Sequence, residues 1–132
     1  MQLTDSEIAT LIAEAQQAMA QAHAPYSKFT VGCAILMDDG TIHRGANVEN
    51  ASFGATICAE RSAISSALSQ GHRGLKAVCV TNASETKITP CGICRQVIYE
   101  FNRDVPVICT NQRGDHMVLT ISELLPHAFT LD

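Results

Sequence analysis

Two short runs, Cys58-Ala59-Glu60-Arg61 and Pro90-Cys91-Gly92-Ile93-Cys94-Arg95, set the strongest constraint on this chain. Together they supply three thiolates and one carboxylate, enough to hold a zinc ion and move protons beside it if the fold brings the runs together. The N-terminal stretch from Met1 to Glu7 lacks the basic start and apolar run of a signal peptide, and no stretch is long and apolar enough to span a membrane. A cytoplasmic protein with no membrane partner is expected. Its six cysteines would then be reduced, and Cys91-x-x-Cys94 reads as metal-binding or catalytic before it reads as a disulfide.

At 132 residues and 46% hydrophobic content, residues 1–132 are expected to form one domain with an ample core. The formal net charge of -4 argues against a nucleic-acid partner, since such proteins carry a basic surface. Thr4-x-x-Glu7 is a capping box opening a helix with apolar positions Ile8, Leu11, Ile12, Ala15 and Met19, stopping near Ala24-Pro25. Thr30 to Met37 and Thr41 to Val48 read as strands joined by the Asp38-Asp39-Gly40 turn. Cys58 opens a helix to about Gln70, and Leu75 to Thr81 is an apolar run rich in β-branched residues. A helix from Cys91 to about Asn102, a strand from Pro106 to Thr110, a short strand from Met117 to Leu119 and a capped turn at Thr120-x-x-Glu123 complete the chain. Helices alternating with apolar strands predict a mixed sheet covered on both faces. Both cysteine motifs fall where an open α/β sheet places its ligand site.

Cys91 and Cys94 are one helical turn apart, so both sulfurs face one side. The start of a helix favours thiolate over thiol, and Cys58 has the same advantage. Three ligands leave a fourth zinc position for water, the arrangement of a catalytic site. Three thiolates would weaken zinc as a Lewis acid, and Arg61 and Arg95 are expected to offset this by donating hydrogen bonds to the sulfurs. Glu60, two residues after a ligand, is placed to carry protons to and from the reacting atoms. The plainer alternatives are a closed four-cysteine site completed by Cys33, Cys79 or Cys109, and a Glu60 that only complements the helix dipole. Asn47 and Glu49 lie two apart at a strand end and suit sugar hydroxyls, or else shape a solvated turn with Asn50. Phe29 by itself is a candidate core aromatic.

The chain resembles the small, homotetrameric zinc-dependent cytidine deaminases. The resemblance runs from Pro25-Tyr26-Ser27-Lys28-Phe29 through Gly45-Ala46-Asn47-Val48-Glu49-Asn50-Ala51, both cysteine motifs and Gln96, to Glu123-Leu124-Leu125-Pro126-His127-Ala128-Phe129. Cys-x-Glu followed by Pro-Cys-x-x-Cys matches the zinc-deaminase signature, with Cys58 where the polynucleotide-editing and deoxycytidylate deaminases of the wider superfamily typically have His. The resemblance implies hydrolytic deamination of cytidine and 2′-deoxycytidine in pyrimidine salvage, and a three-layer α/β/α sandwich around a five-stranded mixed sheet. It implies one Zn2+ per subunit on Cys58, Cys91 and Cys94, with Glu60 as proton shuttle. Phe29 would pack on the pyrimidine, Asn47 and Glu49 would hold the ribose, and the Ala59 backbone would contact the base. Phe129 would reach a neighbouring subunit's pocket, so that a homotetramer shares its sites. Thr30, Cys33, Ala46 and Phe53 depart from the commoner wording, and Phe53 lacks the hydroxyl of the Tyr often found there. Other readings are a deaminase of another cytosine compound such as blasticidin S, or a non-catalytic zinc-stabilised binding module.

Overall fold

The computed structural model describes residues 3–132. Thr4 opens helix α1 (Asp5–Met19) through a reciprocal capping box: its hydroxyl accepts from Glu7 N–H at 3.0 Å, and the Glu7 carboxylate accepts from Thr4 N–H at 2.9 Å. The helix ends at Met19, short of the Ala24-Pro25 break. His23 is drawn off the helical path instead, donating its N–H to Asn47 O at 2.9 Å and accepting from Glu49 N–H at 2.8 Å. There follow β1 (Val31–Met37), β2 (Ile42–Ala46), a 3-10 turn at Phe53–Ala55, α2 (Ala59–Ser69), β3 (Leu75–Asn82), α3 (Gly92–Phe101), β4 (Pro106–Thr110), β5 (His116–Thr120) and α4 (Ile121–Leu124). Each expected element is present, with boundaries moved by a few residues.

The five strands form one sheet in the order β2-β1-β3-β4-β5. Only β3 and β4 run parallel, with Val78 beside Val107 and Val80 beside Cys109, and α3 lies on the crossover between them. The other pairs are antiparallel, so the sheet is mixed. Successive side chains of β1 alternate between two cores. Ala34 and Leu36 join Ala77, Cys79 and Ile108 beneath Leu11 and Ala15 of α1. Cys33 and Ile35 join Val78, Val107 and Cys109 beneath Ala63 and Ile64 of α2, Ile98 of α3 and Ile121 of α4. With both faces covered, β1, β3 and β4 read as nearly continuous apolar runs. The result is the three-layer α/β/α sandwich. Cys33, Cys79 and Cys109 are buried in its cores, and burial pushes all three thiols up, away from the thiolate a metal needs.

One close approach fixes where α2 starts. A Cβ on Gly45 of β2 would fall 2.4 Å from Ala59 O and 2.4 Å from Ala63 N. The strand backbone therefore lies directly against the first turn of α2, next to Cys58 and Glu60.

Candidate active site

The first turns of α2 and α3 meet at the ends of β2 and β3, beside the start of β1. Cys58 caps α2 and Cys91 caps α3, both with extended backbone, and neither sulfur makes the usual side-chain cap bond to its own helix. The sulfurs are left for each other: Cys58 Sγ lies 3.7 Å from Cys91 Sγ, and with Cys94 all three fall within 4.8 Å of one another. Metal–sulfur bonds of about 2.3 Å set the sulfurs of a tetrahedral zinc site ~3.8 Å apart, so this trio has the spacing of a zinc tripod. Among the described residues it is the one such cluster of three, and no fourth cysteine or histidine joins it. The closed four-cysteine alternative therefore finds no ligand.

The electrostatics fit a cation. Hydrogen bonding with Cys94 draws the Cys58 thiol down to about 5 against the cost of burial, with Arg61 and Cys91 adding to the pull. Cys94, sharing that bond and buried, is pushed up. Arg61 sits one turn after Cys58 and donates from Nη2 to Cys58 Sγ at 3.6 Å, as expected, and to Thr56 O at 3.4 Å. Its Nε is buried with no partner among the described residues. One guanidinium and two helix starts favour the thiolate form of these sulfurs, the form that binds a divalent ion.

Arg95 does something else. It was expected on a sulfur, but it donates from Nε to Pro90 O at 2.7 Å, from Nη1 to Leu124 O at 2.7 Å, and from Nη2 to Thr89 Oγ1 at 3.0 Å. Position 95 follows Cys94 on α3 and faces the incoming loop and the end of α4, so its guanidinium braces Thr89-Pro90 just before Cys91.

Glu60, only 4% exposed, lines a cavity of about 270 Å³ with Phe29, Val31, Asn47, Cys58, Ala59 and Cys91. Burial pushes its carboxyl up to about 7, its own backbone N–H and Arg61 pull it down, and the Cys58 thiolate adds to the rise. A carboxyl poised there can gain and release a proton near neutral pH. The Ala59 N–H lies in the first turn of α2, where helical N–H groups have no partner within the helix.

The sugar-side residues are brought near, but their polar groups already hold the protein together. Asn47 Oδ1 accepts from Val31 N–H at 2.9 Å, and its Nδ2 donates to Phe29 O at 2.8 Å, fixing the segment that carries Phe29. Glu49 accepts from Tyr26 N–H at 3.0 Å, from Ser27 N–H at 3.1 Å and from the Ser27 hydroxyl. Since β2 stops at Ala46, strict alternation is lost, and Glu49 lines an adjoining open cavity with Tyr26, Asn50, Phe53 and Thr56 instead of the cysteine cavity. Phe129 lies apart from both, 69% exposed, its carbonyl held by Gln96 Nε2 at 2.9 Å.

Two residues passed over in the sequence organise the cavity wall. Asn82 Nδ2 donates to Thr86 O at 2.8 Å and Thr110 O at 3.2 Å, while its Oδ1 accepts from Ser84 N–H at 2.8 Å. Asn111 Nδ2 donates to Glu85 O at 3.0 Å, and its Oδ1 accepts from Arg113 N–H at 3.0 Å. Both are buried and together they anchor the loop that brings Ile88, Thr89 and Cys91 to the cavity. A signal was visible: Val78-Cys79-Val80-Thr81-Asn82 and Val107-Ile108-Cys109-Thr110-Asn111 are apolar runs ending in the same Thr-Asn pair.

The model of the cytidine and deoxycytidylate deaminase zinc-binding region matches residues 5–110. The chain belongs to that family. A cytidine deaminase of Sporosarcina psychrophila is 49% identical over 94% of this chain and 92% of its own length. Another, of Halalkalibacterium halodurans, is 50% identical over 92% of this chain and 93% of its own. The crystal structure of cytidine deaminase from Burkholderia pseudomallei superposes with a TM-score of 0.89 at 43% identity, covering 96% of this chain and all of that one. The particular protein is an enzyme of this family, a hydrolase with a zinc-binding site on Cys58, Cys91 and Cys94.

Proposed function

We propose that this enzyme hydrolyses cytidine and 2′-deoxycytidine to uridine and 2′-deoxyuridine, releasing ammonia. What supports this above all is Glu60, a buried carboxyl lining the same cavity as Cys58 and Cys91 of the cysteine trio, in a chain about half identical to cytidine deaminases. Cys58, Cys91 and Cys94, with Arg61 behind Cys58, would hold zinc, which when bound would supply the Lewis acidity that makes water a nucleophile near neutral pH. Glu60 accepts a proton from the attacking water as its oxygen bonds to the amino-bearing ring carbon, and delivers that proton to the adjacent ring nitrogen. It then takes the proton of the new hydroxyl to the amino group, the carbon–nitrogen bond breaks, and ammonia leaves as the carbonyl forms. Atoms balance with one water consumed. Because Glu60 acts mainly on the tetrahedral species, the site should bind that species far more tightly than the flat base.

Phe29 packs on the pyrimidine, and the Ala59 N–H contacts the base. Asn47 and Glu49 hold the sugar hydroxyls with the acceptor and donor capacity left after their internal bonds. Residues 1–132 act as one domain, assembled into a homotetramer whose neighbouring Phe129 completes each site. Phe53 at 78% exposure, Ile93 at 62% and Phe129 at 69% are the apolar side chains such an interface would cover. Among the described residues no helix is long and apolar enough to cross a membrane. The reaction would have its place in cytoplasmic pyrimidine salvage.

The substrate is tested by the ultraviolet change of cytidine beside 2′-deoxycytidine, cytosine, cytidine monophosphate and blasticidin S. Turnover of the two nucleosides, well above the rest, is expected. Preferential turnover of blasticidin S, or of none, would overturn the assignment.

A further inference from the structure

A pair of histidines braced by one carboxylate sits at the far end of α2 from Cys58, roughly 16 Å away along the helix. Asp39 comes from the β1–β2 turn, His43 from β2 and His72 from the turn between α2 and β3. The two imidazoles face each other, ring centroids 4.5 Å apart and planes tilted by 52°.

Their protons can be placed by elimination. Bonds from the Thr41 hydroxyl and amide, and then from His72, hold the Asp39 carboxyl down at about 2, so it only accepts. The single Thr41 hydroxyl proton therefore goes to Asp39 Oδ1, at 2.6 Å. The N–H at His72 Nδ1 goes to Asp39 Oδ2, at 2.7 Å. Thr41 Oγ1, its proton already donated, accepts from His43 Nε2 at 3.0 Å. In the neutral rings this leaves bare lone pairs at His43 Nδ1 and His72 Nε2, each on the ring edge away from Asp39 and Thr41. Burial, with His72 beside it, lowers the pKa of His43 while Asp39 opposes the change, and the net effect favours the neutral ring. Of the arginines next to these histidines in the chain, Arg73 is turned to Leu68 O at 2.8 Å and His72 O at 3.0 Å, and Arg44 to Glu14 Oε2 at 2.8 Å.

We propose that His43 and His72 form a second site for a borderline divalent cation such as Zn2+ or Ni2+, separate from the cysteine tripod. Neutral imidazole suits such cations, and a carboxylate on the far nitrogen is the usual device that fixes a ligating histidine's tautomer and aim. Here one carboxylate serves both rings, directly at His72 and through Thr41 at His43. With two protein ligands and water for the rest, the site is weaker than the tripod. Its ion staples the β1–β2 turn to the α2–β3 turn and takes no part in the reaction.

The test is calorimetric titration of the zinc-loaded protein with Ni2+. One Ni2+ per chain is expected, with affinity lowered at least tenfold in His43→Gln and in His72→Gln and by about tenfold in Asp39→Asn, and unchanged in His116→Gln. Cytidine turnover should be the same in His43→Gln and His72→Gln as in the unaltered protein. On the unaltered protein itself, paramagnetic Ni2+ should perturb the ring signals of His43 and His72 before those of His23, His116 and His127. No saturable binding up to millimolar Ni2+, undiminished binding in the double His43→Gln, His72→Gln variant, or first perturbation at another histidine would overturn the proposal.

Discussion

At the scale of single residues, the cavity is governed by which polar groups are already committed. Arg61 is committed to a sulfur and Arg95 to a loop, although both follow the cysteine motifs closely in sequence. Spacing told where each arginine starts, not which neighbour its long side chain would find, because Arg95's partners Pro90 and Leu124 lie on segments whose meeting only the fold decides. Glu49 is similar: its carboxylate is anchored by the Ser27 hydroxyl and amide and by the Tyr26 amide, and these bonds lower its pKa. A depressed folded-state pKa means that this anchor is fully present above the ordinary Glu value of about 4.3 and is lost as pH falls through the folded value. The Ser27 amide resonance should therefore titrate with a midpoint below about 4.3, and Glu49→Gln should abolish that titration. A midpoint at or above the ordinary value would contradict the anchoring.

At the scale of elements, α2 and α3 aim the cysteines, and two devices aim the helices. The first is the bare backbone contact at Gly45. Gly45→Ala places a methyl group against Ala59 O and Ala63 N, backbone atoms that cannot swing aside. Overpacking of this kind costs about 1–3 kcal/mol, and here it also shifts Cys58, so zinc affinity should fall together with the melting temperature. An unchanged melting temperature and zinc affinity would show that β2 does not seat the helix. The second device is the pair Asn82 and Asn111. Removing Asn82 strips Thr86 O and Ser84 N–H of their side-chain partner, and removing Asn111 strips Glu85 O and Arg113 N–H of theirs, at about 1 kcal/mol for each hydrogen bond lost. Asn82→Ala should raise KM and weaken zinc binding while the sheet itself persists by circular dichroism. Wild-type kinetics would contradict that role.

The elements themselves were largely legible in the sequence. Capping boxes, the Asp38-Asp39-Gly40 turn and apolar runs are local signals, and each produced an element near its expected place. So was the cysteine trio, because Cys-x-Glu and Cys-x-x-Cys at helix starts leave the sulfurs little freedom. What stayed hidden depends on contacts distant in sequence. The early end of α1 is set by pairing of His23 with residues 47 and 49, and the buried roles of Asn82 and Asn111 appear only once β3 and β4 lie parallel.

At the scale of the whole molecule, a single chain brings Cys58, Cys91, Glu60, Phe29 and Asn47 to one cavity, while Phe129 stands exposed on the α3 side. A homotetramer gives that phenylalanine a purpose. Light scattering should return four times the chain mass, and Phe129→Ala should raise KM for cytidine by about tenfold, as expected for loss of an interface aromatic worth roughly 1.4 kcal/mol. An unchanged KM in an intact tetramer would remove Phe129 from the site. The reaction itself rests on Glu60 carrying protons beside the tripod. The most direct measurement is cytidine turnover by the zinc-loaded Glu60→Gln variant, with its zinc content determined on the same sample. The expected result is about one zinc per chain with turnover lowered by roughly 10³-fold or more, the scale of a lost general acid and base. Zinc retained with turnover undiminished would contradict the mechanism at its centre.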